Sequence, residues 1–454
     1  MTGRATSTAA VLDDLCDWRA RIAAAGADAA ARPAGRVRAV SGLAVRVEGL
    51  AAGIGDLVVI DDGGRGTPAE VVAITPDDVA VLPLGPTVGL RAGTRVRASG
   101  GQARTPVGPA LRGRVLDALG RPLDGRPLPP GLPTAPVDAA APDAMTRARV
   151  TDPMPVGVRA VDTLTPIGRG QRMGIFAGSG VGKSTLLSMI TRGTSADLVV
   201  LALVGERGRE VREFLDDDLG PEGLARAVVV VATSDQPPLM RLRAAFTATA
   251  IAEAARAEGQ DVLLLMDSVT RVAMAQREVG LSVGEPPATR GYPPSVFALL
   301  PRLLERAGCD GAGSITALYT VLVEGDDHNE PVADTVRSLL DGHLVLDRRL
   351  AVSGHFPSID VVASVSRTAH ATCTPAQRDL STSARALLAA RADVAELVEI
   401  GAYVPGGNPL ADEALARWNT LAAFLRQPRE QGSVPAAQAW ADLAAVLGRE
   451  QVAA

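Results

Sequence analysis

Apolar and polar positions change rhythm several times along this 454-residue chain, and the changes divide it. In residues 7–25, Val11, Leu12, Leu15, Trp18 and Ile22 recur at helical spacing with charges between them, which predicts an amphipathic helix within residues 1–30. Two readings of that helix stand: it docks onto a partner, or it covers the chain's own next domain. After Arg32-Pro33 the pattern becomes short Val- and Leu-rich runs (GRVRAV, LAVRVEGL, GDLVVIDDG, AEVVAI, VAVLPL) broken by Gly, Pro and Asp, which predicts a small β-barrel over residues 31–105. Residues 121–143 are rich in Pro, Ala and Gly and read as a linker. From about residue 150 to 369, apolar strand-like runs alternate with helical segments, the pattern of a parallel sheet with helices on both faces, and an α/β domain is assigned to residues 106–370. Residues 371–454 are Ala- and Leu-rich with helical periodicity and no strand runs, which predicts a C-terminal helical domain.

Length agrees with this division, since a chain of this size exceeds one compact core. Composition narrows the partners. With 47% hydrophobic and 21% charged residues, and no apolar run of about 18 residues or more, no membrane helix is expected. No secretory signal pattern opens the chain, so a cytoplasmic protein is expected. Cys16, Cys309 and Cys373 are widely spaced and odd in number, which argues against disulfides or a zinc site. A net charge of -5 and 3% aromatic residues supply neither the basic footprint nor the stacking platforms of a nucleic-acid binder.

One count bears on chemistry. Of 46 Lys plus Arg, a single residue, Lys183, is lysine, so 46 - 1 = 45 are arginine. An ammonium is a compact point charge that fits among phosphates in a tight loop, where a planar guanidinium does not. Lys183 sits in RMGIFAGSGVGKSTLLSMI, an apolar strand followed by a Gly-rich loop and a helix. The loop of Gly178, Ser179, Gly180, Val181, Gly182, Lys183, Ser184 and Thr185 can turn its backbone N–H groups onto phosphate oxygens, with the helix N-terminus adding a favourable dipole. In that arrangement Lys183 bridges the β- and γ-phosphates of ATP and the Ser184 hydroxyl ligates Mg2+. The motif asks for Gly where Ala177 stands.

Three further apolar runs end in polar residues, and open parallel sheets place ligands at the carboxyl ends of their strands. LVVLALVGERGRE delivers Glu206 and Arg207; VVVVATSDQPP ends in a turn; DVLLLMDS delivers Asp267. Glu206 can polarise an attacking water as a general base, or it can pair with Arg207 or Arg209 at the surface. Asp267 can orient Mg2+ through water, or it can cap a helix. Arg367 ends the apolar run in HFPSIDVVASVSRTAH and by itself reads as a solvated arginine.

AGSGVGKS, GERGREV, ATSDQPPLMRLRAA, LLLMDSVTRVAMAQREVGL, GEPPATRGYPPSVFALLPRLLERAG, VRSLLDGH and the SVSR segment closely resemble the ATPases of type III protein export, in particular their flagellar branch. The resemblance runs from about residue 35 to near the C-terminus. It implies a β-barrel domain, a central RecA-like P-loop ATPase domain and a helical C-terminal domain in a hexameric ring, related to the catalytic subunit of rotary ATP synthases. It implies Glu206 as catalytic carboxylate, Arg207 as a phosphate-site arginine, Asp267 on the Mg2+ side, and Arg367 as a finger reaching the neighbouring subunit's ATP. Phe356 would stack on adenine where relatives usually carry Tyr; a core aromatic is the other reading. Ala177 is usual in this family, whereas His328 replaces a usual Met. The implied partners are a stator-like regulator at the N-terminal helix, a coiled-coil stalk protein, an export gate and substrate–chaperone complexes, at the cytoplasmic face of the membrane. YPPSVFA and ATSDQPPLM lean toward the flagellar rather than the injectisome enzyme, and GEPPATRGY and GDDHNEP lean away from a synthase β subunit. A ring subunit that binds ATP without hydrolysing it would lack the carboxylate present at Glu206.

Overall fold

The computed structural model describes residues 34–61, 63, 66–323 and 330–449. The expected N-terminal helix and His328 lie outside the described residues. The chain divides into two compact units after Gln102.

The first unit carries a closed barrel of β1 (Gly35–Ser41), β2 (Ala44–Glu48), β3 (Asp56–Ile60), β4 (Thr67–Ile74), β5 (Val79–Pro83) and β6 (Arg95–Gln102), in the order β1-β2-β5-β4-β3-β6. Alternation explains why it closes. In β6, Val96 points inward and is fully buried while Arg95 and Arg97 face solvent, since successive side chains of a strand leave on opposite faces. The interior is almost entirely Val and Ile: Val37, Val45, Val47, Val58, Ile60, Val71, Val81 and Val96 pack together, residues whose branched side chains suit a pleated surface.

The second unit is built on nine strands: β8 (Arg114–Asp117), β10 (Arg172–Ala177), β11 (Leu198–Val204), β12 (Ala227–Ala232), β13 (Asp261–Asp267), β14 (Gly308–Cys309), β15 (Ser314–Leu322), β16 (Gly342–Leu346) and β17 (Ile359–Ser366). Their order is β17-β16-β10-β15-β13-β11-β12-β8, with β14 beside β15. All pairings are parallel except β14 on β15 and β17 on β16. Every residue of β11 and β12 is buried, as expected of parallel strands covered on both faces. The helices Lys183–Gly193, Pro238–Ala257 and Val269–Ser282 follow their strands.

Residues 121–143 are not a free linker, contrary to their composition. β9 (Thr134–Pro136) pairs with β7 (Arg104–Pro106), and Asp138 binds Arg243 and Arg302 at 2.8 Å each. Asp124 lies 2.6 Å from Arg114, which pulls its carboxyl far below the usual range. The Pro and Gly content shapes the turns, while these few acids fasten the segment to the α/β body.

After β17 the chain is helical, with Pro375–Asp393, Pro409–Leu425 and Ala436–Val446 as its long helices. A capping box between Thr374 and Gln377 starts the first of them. Leu380, Leu387, Leu421, Phe424 and Trp440 join the same core as Val156, Val158 and Leu164, so these helices share one hydrophobic interior with the sheet. Among the described residues no helix is long and apolar enough to cross a membrane.

Candidate active site

The loop after β10 is shaped by two glycines in the left-handed region, Gly180 at φ 74° and Gly182 at φ 91°, a conformation that residues with a Cβ avoid. Gly182 caps the helix Lys183–Gly193, so Lys183 is its first residue and the free N–H groups of the first turn face the loop. The loop borders a cleft of about 980 Å³ at the carboxyl ends of the strands. Ala177, Gly178, Ser179, Gly180, Gly182, Lys183, Ser184 and Thr185 all line it. Val181 does not: it is buried, and its carbonyl accepts a hydrogen bond from the Ser358 hydroxyl at 2.5 Å.

Across the cleft β11 and β13 deliver the two carboxylates. Lys183 Nζ donates to Asp267 Oδ1 and stands 3.4 Å from Glu206 Oε1. Thr320, buried in β15, donates to the same Asp267 oxygen at 2.7 Å. Burial works against the Lys183 ammonium, but Asp267 and Glu206 outweigh it and its pKa is raised. Burial, with repulsion from Asp267, raises the Glu206 pKa against the pull of Lys183. The backbone carries Glu206 into place: Ser234 N–H donates to its carbonyl at 3.0 Å, and Gly205, at φ 72°, lies against Arg271.

Two of the alternative readings, a surface pair for Glu206 and a helix cap for Asp267, do not match the contacts these residues make. Arg207 pairs with Glu210 at 3.1 Å and Arg209 with Glu213 at 2.5 Å, so neither takes Glu206. Ser268, not Asp267, caps the helix Val269–Ser282, accepting from Arg271 N–H. Arg207 lines the cleft with 78% of its side chain exposed. Phe356 is 40% exposed and its ring lies so near the loop that a Cβ on Gly182 would come within 3.2 Å of it. Arg367 stands apart. β17 runs antiparallel to β16, with Ser366 opposite Gly342, so Arg367 follows at the amino edge of the sheet, exposed, its N–H donating to Asp341 O at 2.9 Å.

Residues 37–100 match the β-barrel domain of the ATP synthase alpha/beta family, residues 157–366 its nucleotide-binding domain, and residues 373–445 the C-terminal domain of the type III secretion ATPase EscN. The chain is 51% identical to the flagellum-specific ATP synthase of Bacillus subtilis, over 92% of this chain and 96% of that one. It is 49% identical to the type 3 secretion system ATPase of Xanthomonas euvesicatoria, over 89% and 92% respectively. The chain belongs to the family of flagellum-specific ATP synthases and type III secretion ATPases. Its structure matches that of assembled EscN, the ATPase of the enteropathogenic E. coli type III secretion system in complex with its central stalk EscO, with a TM-score of 0.84, 44% identity and coverage of 91% of this chain and 100% of that one. For an ATPase of this family, the order barrel, nucleotide-binding sheet, helical region follows the order of the three matched domains.

The cleft of this ATPase holds residues that the sequence pattern did not single out: Arg271, Arg277, Arg290, Tyr292, Glu330 and Arg348 also line it. Arg271 Nε is buried with no hydrogen-bond partner. Arg277 stacks over the Tyr292 ring at 5.3 Å, and the Tyr292 hydroxyl donates to Glu330 at 3.2 Å. Thr320, which holds Asp267, is one of several hydroxyls in the run SITALYTVL, and nothing there singles it out.

Proposed function

We propose that the cleft binds Mg-ATP on the loop at residues 178–185 and hydrolyses it, and that the chain is the export ATPase of a flagellar type III apparatus. The observation that carries the reading is the Lys183 ammonium at a helix N-terminus, paired directly with Glu206 and Asp267 at the border of a cleft. In this reading the backbone of Gly178, Ser179, Gly180, Val181 and Gly182 cradles the phosphates, with Ser184 and Thr185 in the helix's first turn. Lys183 exchanges its carboxylate partners for β- and γ-phosphate oxygens and holds the charge that develops there. Glu206, freed of the ammonium, accepts a proton from the attacking water; its raised pKa brings it closer to the working pH of a general base. Arg207 supplies a second cation to the phosphate side, and Phe356 presents a ring face to adenine beside Gly182.

Mg2+ fits this donor set. Immediately around Lys183 two carboxylates meet one ammonium, so phosphate oxygens arriving there would add to negative charge already present. Among the described residues no group of three or more His, Cys, Asp or Glu could cage a metal, and Mg2+ is typically held by one or two carboxylates together with substrate phosphates. Ser184, exposed at the cleft, and Asp267 would hold it. Bound there, the ion offsets the charge of the transferring phosphoryl group.

Arg367 belongs to this site only from another subunit. β10 alone separates the two edges of the sheet by about 17 Å at roughly 3.3 Å per residue, and Arg367 lies at the far edge of its own chain. EscN, the structural match, is an assembled ATPase; in a homo-oligomeric ring of this chain Arg367 becomes a finger for the neighbour's ATP. A ring gives the chain a stalk partner like EscO at its centre; the regulator, export gate and substrate–chaperone complexes follow from the flagellar reading. That reading has a direct test. Deleting the gene should abolish filament assembly and swimming, with rescue by the wild-type chain and none by Lys183→Ala. Normal swimming in the deletion strain would assign the ATPase to an injectisome instead.

A further inference from the structure

The connection between the last two long helices touches the supports of the cleft at several points. Gln427, 1% exposed, donates its backbone N–H to Phe356 O at 2.9 Å, and its side chain bridges Gly157 O at 2.8 Å and Arg159 N–H at 2.9 Å. Val434 N–H donates to Gly157 O at 3.1 Å. Ser433 lies so close to Gly193, the end of the helix begun at Lys183, that a Cβ on that glycine would come within 3.1 Å of it. Between these anchors Arg429 reaches out, donating to Asp218 Oδ1 at 2.7 Å and to Asp217 O.

Asp218 is a junction of the nucleotide cleft. It lines the cavity. It lies in a π-helical turn, Phe214–Leu219, that continues the helix Gly208–Glu213 begun two residues after Glu206, and turns of this kind recur at functional sites. Its carbonyl accepts from the Ser188 hydroxyl at 2.5 Å, inside the helix Lys183–Gly193. One residue thus joins the wall that carries Glu206 to the helix that carries Lys183. Its carboxylate has Asp217 and Glu213 as like-charged neighbours, and Arg429 and Arg192 as opposing cations. At 20% side-chain exposure for Asp218 and 35% for Arg429, the pair is only partly screened by water. Without Arg429, a half-buried acid is left among acids and the turn loses what holds it down.

We propose that Arg429 is a positioning residue for ATP hydrolysis: through Asp218 it fixes the wall bearing Glu206 against the phosphate-loop helix, linking the C-terminal region to the chemistry. The proposal rests on the cleft being the ATP site. Its pair also crosses the boundary between two matched family domains, Asp218 lying in residues 157–366 and Arg429 in residues 373–445, so a displacement of the C-terminal region has a route to the catalytic wall.

The test is a double-mutant cycle on the full chain, Arg429→Gln, Asp218→Asn and the pair, with kcat and KM for Mg-ATP measured below the unfolding transition of every variant. Each single change should lower kcat about tenfold while KM moves less than about twofold, because misplacing a catalytic group costs rate more than binding. The double variant should again lose about tenfold rather than about a hundredfold, since partners in one network are not additive. Arg429→Lys, which keeps the charge, should recover part of kcat and serves as the informative variant if Arg429→Gln does not fold. Wild-type kinetics in Arg429→Gln, no recovery in Arg429→Lys, or multiplicative losses in the double variant would overturn the proposal. Undiminished hydrolysis in Lys183→Ala would instead displace the ATP-site reading itself, and is separately visible.

Discussion

The two edges of the central sheet carry similar ions arranged to opposite ends. At the amino edge the charges complete one another: Arg172 meets Asp341 and Glu305, Arg169 meets Asp261, and Arg306, wholly buried, meets Glu253 at 2.5 Å. At the carboxyl edge one ammonium stands between two carboxylates beside a cleft of about 980 Å³. Closed pairs make a static joint. An ammonium held between two acids at the border of a cavity large enough for a ligand is a site that can exchange partners, which is what a polyphosphate substrate requires. The left-handed glycines Gly180 and Gly182 follow the carboxyl end of β10 and create the room for that exchange.

Arg367 offers the sharpest way to break this contrast, because it lies at the closed edge yet is assigned to chemistry. Arg367→Ala should leave nucleotide affinity nearly unchanged and lower assembled turnover by about 10³-fold or more, the range for arginine fingers. Mixing it with Lys183→Ala protein should restore part of the activity; well-mixed oligomers with none would exclude action in trans. Glu206→Gln should reduce kcat by about 10²- to 10⁴-fold while ATP remains bound. The same residue predicts the pH dependence. A general base works only when ionised, and the Glu206 pKa is raised by burial, so kcat/KM should fall on acidification with a limb above the ordinary Glu value of 4.5. A limb at or below that value would contradict the environment assigned to Glu206.

The closed edge should respond in stability rather than rate. Arg306→Met leaves Glu253 unpaired where its side chain is 15% exposed, and should cost about 3 kcal/mol of folding stability, read by denaturant unfolding, with kcat per folded molecule intact. The smallest effect belongs to Phe356. Phe356→Ala should raise KM about tenfold, the scale of one base–aromatic stack, while Phe356→Tyr should match the wild type. Equal KM for all three would make Phe356 a packing residue only.

What the sequence showed and what it hid follow the same physical line. The barrel was legible because Val96 between Arg95 and Arg97 is a local alternation. The Gly-rich loop was legible because strand, glycines, lysine and helix are consecutive, and Asp267 and Glu206 because one ends an apolar run and the other follows one after a single glycine. Hidden were the features that depend on which distant elements meet. Nothing near Arg367 reveals that β17 runs antiparallel and carries it to the far edge. The acids of residues 121–143 bind arginines as far away as Arg302, so composition alone suggested a linker. Thr320 on Asp267, Phe356 over Gly182 and Arg429 on Asp218 likewise join segments dozens to hundreds of residues apart.

In the proposed function the single lysine of the chain takes the phosphates of ATP at the carboxyl edge of the sheet. Equilibrium titration of a fluorescent ATP analogue with Mg2+ into wild-type and Lys183→Ala protein tests it most directly. Lys183→Ala should bind with a Kd weaker by about a hundredfold, the loss of a charge-assisted contact worth about 3 kcal/mol. Equal affinity in the two proteins would contradict it.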